Sequence, residues 1–189
     1  MSGARALAND CRGVAATEFA LIVPLLIVGL FGTIEISEVV AIDQRANMVA
    51  SSLARMVTVS HSIDPTDFDA RYLPGAKAII SPYDPTTLQA TATEVYIDPS
   101  SLNATVQWSR GDAARNVGDI VTTLPPGMIV PGTYVIMGEA SYSYTSPVLF
   151  FIPNGVALYE ASFARPTNVV CVIFGSVADL TNAPPCPTS

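Results

Sequence analysis

One unbroken apolar run near the amino terminus limits what this chain can fold into. From Val14 to Ile34 it reads VAATEFALIVPLLIVGLFGTI, with Glu18 the only ionisable residue inside it. About 20 helical residues, rising ~1.5 Å each, cross the ~30 Å hydrocarbon core of a bilayer. The run therefore predicts a transmembrane helix. Arg5 and Arg12 precede it, and Glu35, Glu38 and Asp43 follow before Arg45 is reached. Positive residues stay on the cytosolic side, which places the amino terminus inside and the bulk of the chain outside. A cleavable secretory signal shows a similar order of charged and apolar residues, but its apolar core is about 7–15 residues long and ends at a small-x-small site. Here the run is longer, no such site precedes Glu35, and Glu18 lies near its start. Pro24 removes a backbone donor and loosens the helix, and Gly29 and Gly32 permit close approach of another helix.

Composition matters beyond the run. Half of the residues are apolar and 13% are charged, against about 25% in ordinary soluble domains. The net charge is −7 and the nine Lys and Arg residues are scattered, so the chain has no phosphate-binding footprint and no predicted nucleic-acid partner. Most of the fifteen prolines lie beyond residue 64, in a region of short strands and turns. Cys11 precedes the run; Cys171 and Cys186 follow it. With the run in the membrane, Cys171 and Cys186 reach an oxidising compartment and can pair, while Cys11 stays reduced.

The segment Arg12-Gly13-Val14-Ala15-Ala16-Thr17-Glu18-Phe19 carries the most chemical information. A small residue stands at the cytosolic edge, with a carboxylate five positions later. A carboxylate at the centre of a bilayer costs about 2.5–3.5 kcal/mol on insertion scales, so such groups usually have a partner. Cleavage after Gly13 would give Val14 an α-amino group, and the amine of one copy would pair with Glu18 of another. Without cleavage, Glu18 snorkels to the interface. Glycine, four residues and glutamate at the head of an apolar helix resemble the prepilin-peptidase site of type IV and Flp-type pilins. The longer run resembles the amino-terminal signature of TadE-like proteins, through Arg12, Gly13, Glu18, Phe19, Ala20, Pro24, Phe31, Gly32 and Glu35. A distal stretch, ASYSYTSPVLFFIPNGVALYEASFARP, is similar to a later part of the same family. Phe19 stands where major Flp pilins commonly carry tyrosine, which favours a minor pilin. The distal stretch ends at Arg165-Pro166-Thr167 without a second arginine, and a cysteine-containing tail follows.

The resemblance implies a minor pilin or pseudopilin of tight-adherence (Flp) pili. Its partners would be the membrane, other pilins, pilus-assembly platform proteins and a prepilin peptidase. It would sit in the bacterial inner membrane with a periplasmic carboxy-terminal domain, reaching the cell surface if it joins the fibre. The alternatives are an uncleaved, inner-membrane-anchored periplasmic scaffold of a secretion or pilus machine, and an anchored periplasmic enzyme or ligand-binding module.

The expected fold is α+β and pilin-like: a long amino-terminal helix packed on a small antiparallel sheet. Residues 1–13 form a cytosolic leader, 14–36 the transmembrane helix, 37–60 its extramembrane continuation, and 61–189 a periplasmic β-rich head with a proline-rich tail. Val39, Ile42, Ala46, Val49, Leu53 and Met56 recur at three- and four-residue steps and form the seam that packs on the head. Asp64-Pro65-Thr66-Asp67 has the chemistry of a helix start. Strands are expected over Thr91–Ile97, Ala104–Trp108, Thr133–Tyr144 and Val156–Phe163, with a last one over Val169–Phe174 and a loop over Asn116–Gly132. The apolar run Val148–Ile152 is too short to span a bilayer and is expected in the core. His61 is the only histidine, and Asp64, Asp67 and Asp69 lack calcium-loop spacing. With no nucleophile–base pattern, zinc spacing or phosphate loop, no catalytic residue, metal, cofactor or small-molecule substrate is predicted. A ligand-binding head would instead show a polar pocket with convergent titratable groups.

Overall fold

The computed structural model describes residues 12–146 and 155–175, with side chains from Ala16 onward. The chain falls into two compact units, residues 1–40 and 41–189.

Helix α1 (Arg12–Thr58) runs without interruption through Pro24 and through the boundary between the units. In the first unit its apolar side chains point outward all round: Phe19, Leu21, Leu25, Leu26, Leu30 and Ile36 are all more than half exposed. The helix is long and apolar enough to cross a membrane, and its most apolar 18-residue window is only 6% buried. A core helix of a soluble domain would be mostly covered. The hydroxyls of Thr33 and Ser37 donate back to Leu30 O (2.8 Å) and Thr33 O (2.7 Å), so neither presents an unpaired polar hydrogen to an apolar surrounding.

In the second unit the pattern changes to one buried stripe: Ile42, Ala46, Val49, Ala50, Leu53, Ala54 and Val57. The seam read from the sequence contains Ile42, Ala46, Val49 and Leu53. It omits Ala50, Ala54 and Val57, because a sheet covers a wider arc of a helix than a three–four seam does, and its end members Val39 and Met56 are only partly buried. The partner is an antiparallel sheet in the order β4-β3-β2-β5-β6, built from β2 (Leu88–Ile97), β3 (Ala104–Gly111), β4 (Ile120–Val121), β5 (Tyr134–Tyr144) and β6 (Val156–Ala164). This is the expected α+β class. Four of its strands are the four longer ones expected, and the fifth is the two-residue β4, which falls inside the expected loop and is too short to show alternation.

The helix lies close on the sheet at Gly138. A Cβ built there would stand 2.1 Å from Ala50 O and 3.0 Å from Ala54 N, both backbone atoms. Register pairs Gly138 with Ala92 and Ala140 with Ala90. Opposite residues share a face, so a small-residue bed lies under the helix. The other face carries a second core of Val95, Ile97, Ala104, Val106, Val121, Leu124, Val135 and Met137. The segment between β3 and β5 supplies Val121 and Leu124 to this core, with Met128 packed against it.

Between α1 and β2, Asp64 caps the first of several short helical turns by accepting from Thr66 N (2.8 Å), and Pro65 follows at the first helical position. The Arg45 guanidinium donates to Ile79 O (3.0 Å) and Ser81 O and sits 5.7 Å from the Tyr83 ring centroid, tying α1 to the end of those turns. The expected last strand is mostly irregular. Only β7 (Ile173–Phe174) pairs, in parallel with β1 (Ser62–Ile63). The reason lies in Val172, whose N–H is taken by the Glu94 carboxylate (2.8 Å) and whose carbonyl is taken by Trp108 Nε1 (3.0 Å), leaving neither for a ladder. Val148–Ile152 lies outside the described residues.

Because both groups facing a Gly138 side chain are backbone, little can yield. Gly138→Ala is expected to destabilise the head by about 3 kcal/mol, the upper part of the overpacking range. Urea unfolding followed by Trp108 fluorescence measures this, and unchanged stability would contradict the close approach.

Candidate functional sites in the helix and the head

The assembly motif lies on the first turns of α1. Gly13 and Val14 are helical in the backbone, and Glu18 and Phe19 are both exposed, Phe19 by 68%. Pro24 is accommodated inside the helix. A Cβ at Gly29 would meet nothing within 4 Å, so nothing described within the chain demands glycine there; Gly32 is half-buried. Glu35 is the exception on this segment: its carboxylate is buried and makes no hydrogen bond among the described residues.

In the head, the titratable residues noticed in the sequence do local structural work. His61 is exposed and uses its carbonyl to accept from Ile173 N (3.1 Å). Asp64 is the cap described above, and the Thr66 hydroxyl and amide hold its pKa below the usual carboxylate value. Asp67 lies 3.5 Å from Arg71, and Asp69 pairs with Arg110, whose hydrogen bond lowers the Asp69 pKa. Among the described residues no three His, Cys, Asp or Glu side chains gather as a metal cluster. Cys171 is buried; Cys186, its expected partner, lies outside the described residues.

Two clusters were not foreseen. In the first, Glu94 is buried on the helix-facing side of β2, accepting from Trp108 Nε1 (2.9 Å) and Val172 N (2.8 Å). Trp108 stacks on Phe174 (4.7 Å between centroids), and Phe174 meets Phe68 edge-on. The carboxylate thus fastens the segment before β7 to the sheet. Burial drives its pKa up to about 8, outweighing the two hydrogen bonds that favour the ionised form. The signal was present: Glu94 continues the period-two series Leu88, Ala90, Ala92 that faces the core.

The second cluster is on the opposite face. Arg115 donates through Nη2 and Nε to the two oxygens of Glu139 (2.5 and 3.3 Å), and the Tyr159 hydroxyl donates to the same carboxylate. Burial, then the bond to Glu139, pushes the Tyr159 pKa to about 12, so the phenol keeps its proton. Strand pairing brings Glu139 and Tyr159 together and the loop beyond β3 brings Arg115, which sequence spacing does not reveal.

Comparison with known families bears on α1. Residues 13–55 match the TadE-like protein family. The TadE-like segment therefore coincides with α1, from its first turn to its last. No curated protein and no solved structure matches the chain. The match contains every residue of the amino-terminal motif except Arg12, and it ends before the head.

The raised Glu94 pKa has a definite pH consequence. In the unfolded chain this group ionises near 4.5, whereas in the fold it stays protonated to about 8. Its stabilising contribution is complete below the unfolded pKa and is lost as pH rises toward 8, with a limiting slope of about 1.4 kcal/mol per pH unit. Thermal unfolding from pH 5 to 8 is expected to show falling stability, and Glu94→Gln is expected to flatten that slope.

Proposed function

We propose that this chain is a membrane-anchored minor pilin or pseudopilin that supports assembly of tight-adherence (Flp) pili. The observation that carries the reading is the coincidence of the TadE-like match with a helix whose first part is exposed, apolar and of membrane-spanning length. Residues 14–36 hold the chain in the inner membrane, with the leader in the cytosol and the head in the periplasm. Its partners are other pilins, the assembly platform and a prepilin peptidase that cuts between Gly13 and Val14. The role is structural rather than enzymatic.

The new Val14 amine of one subunit then meets Glu18 of a neighbour within the bilayer. Low dielectric makes that contact selective, since an unpaired ion there is penalised and a paired one is not. Exposure of Glu18 and Phe19 on the helix surface suits such a contact. Gly29 has free space around it for a neighbouring helix to approach.

The test has two parts. Mature protein from cells with the peptidase is expected to begin at Val14, and protein from cells without it is expected to keep residues 1–13. Glu18→Gln is expected to insert and be cut normally but to lose crosslinking to other pilins, since removing one partner of a buried pair costs about 3–5 kcal/mol. An intact leader on assembled protein, with normal piliation in Glu18→Gln, would favour the uncleaved scaffold instead.

A further inference from the structure

The sheet face turned away from α1 changes character along its length. At one end Val95, Ile97, Val135 and Met137 belong to the second core. Two residues on, the same rows become polar: Thr93, Thr91 and Gln89 on β2, and Glu139 and Ser141 on β5. Register places Thr91 opposite Glu139, Gln89 opposite Ser141, and Ser141 opposite Tyr159. Ala113 and Arg115, just beyond β3, form the remaining wall. The cavity is open to solvent along one side and has a volume of about 280 Å³, just below the range of about 300–1,000 Å³ for small-molecule sites.

Internal bonding explains part of this arrangement. Arg115 secures its loop to Glu139, Ala113 N donates to Thr91 Oγ1 (3.1 Å), and Arg115 N donates to Ser109 Oγ (3.0 Å). It does not explain the rest. The Gln89 amide, the Ser141 hydroxyl and Arg115 Nη1 line the same space without a hydrogen bond to the described fold, Gln89 being exposed and Ser141 half-buried. Tyr159 leaves its ring half exposed at the rim.

The chemistry of the walls selects among ligands. An anion drawn to Arg115 meets the Glu139 carboxylate, and a cation drawn to Glu139 meets the guanidinium, so the neutralised pair favours neither. An apolar ligand would strand the amide, hydroxyl and guanidinium donors. A neutral molecule rich in vicinal hydroxyls satisfies them: Gln89 both donates and accepts, Ser141 does the same, Arg115 Nη1 donates, and the Tyr159 ring covers an apolar C–H face. We propose that this pocket binds one sugar residue, as presented by a surface glycan. This site is separate from the helix-borne assembly chemistry and does not depend on it.

The test titrates D-glucose, D-galactose, D-mannose and N-acetyl-D-glucosamine singly onto the full chain, held in a detergent without a sugar headgroup. Amide NMR shifts at Gln89, Arg115, Ser141 and Tyr159, with saturation transfer to the sugar protons, report binding. At least one sugar is expected to bind saturably with a millimolar Kd, weakened about tenfold or more by Gln89→Ala or Ser141→Ala. Neither replaced side chain bonds to the described fold, so Trp108 fluorescence and the unfolding midpoint should stay at parental values. No saturable shift with any of the four sugars would overturn the proposal. So would undiminished binding in both variants, or a stronger response to acetate than to every sugar.

Discussion

The head depends on backbone lying against backbone where α1 crosses β5. Gly138 admits the helix to a distance that any side chain would forbid, and Ala90, Ala92 and Ala140 extend the same shallow bed. Contact this close excludes water and buries Val49, Leu53 and Val57 completely. Burial of this kind is worth roughly 1.5–3 kcal/mol for each Val- or Leu-sized side chain. The two alanines of the helix, Ala50 and Ala54, are small for the same reason. Here fit outranks bulk: a larger residue at any of these places would raise apolar area and lose the approach that makes the area useful.

A sheet with a core on both faces leaves few positions for polar groups, and the buried Glu94 and Glu139 are each answered by specific partners. Glu94 illustrates the balance. Two donors favour its charge and burial opposes it, and burial wins, leaving a neutral acid that still accepts from Trp108 and Val172. That contact substitutes side-chain bonding for strand pairing along the segment before β7. Glu139, on the other face, accepts from Arg115 and Tyr159 instead. Two carboxylates in neighbouring strands thus have opposite surroundings: one holds down a crossing segment, the other organises a cavity wall.

The fold was legible where local rules govern. The apolar run, the continuous helix, the Asp64 cap and the four longer strands are written in periodicity and turn chemistry, which act over a few residues. Strand edges shifted modestly: β2 begins at Leu88 rather than Thr91, because Leu88 and Ala90 continue an apolar alternation that Gln89 interrupts only on the other face. What escaped notice is non-local. The two-residue β4 and the parallel β1–β7 pair are specified by partners far away in the chain. The convergence of residues 89, 139, 141 and 159 follows from register, and Arg115 reaches them from the loop beyond β3. Glu18, Phe19 and Gly29 of the helix-borne motif stand within the stretch that matches the TadE-like family.

Function on this account follows from one helix meeting two solvents. Residues exposed and apolar all round suit lipid, and the one-sided stripe from Ile42 to Val57 suits a sheet in water. The most direct test is the side of the membrane on which the sheet resides. Ser100→Cys places a thiol in the exposed turn that joins β2 to β3. In intact spheroplasts, a membrane-impermeant maleimide is expected to label it before lysis, on protein that remains in the membrane fraction after an alkaline wash. Labelling that appears only after lysis, or protein released by the wash, would contradict the account.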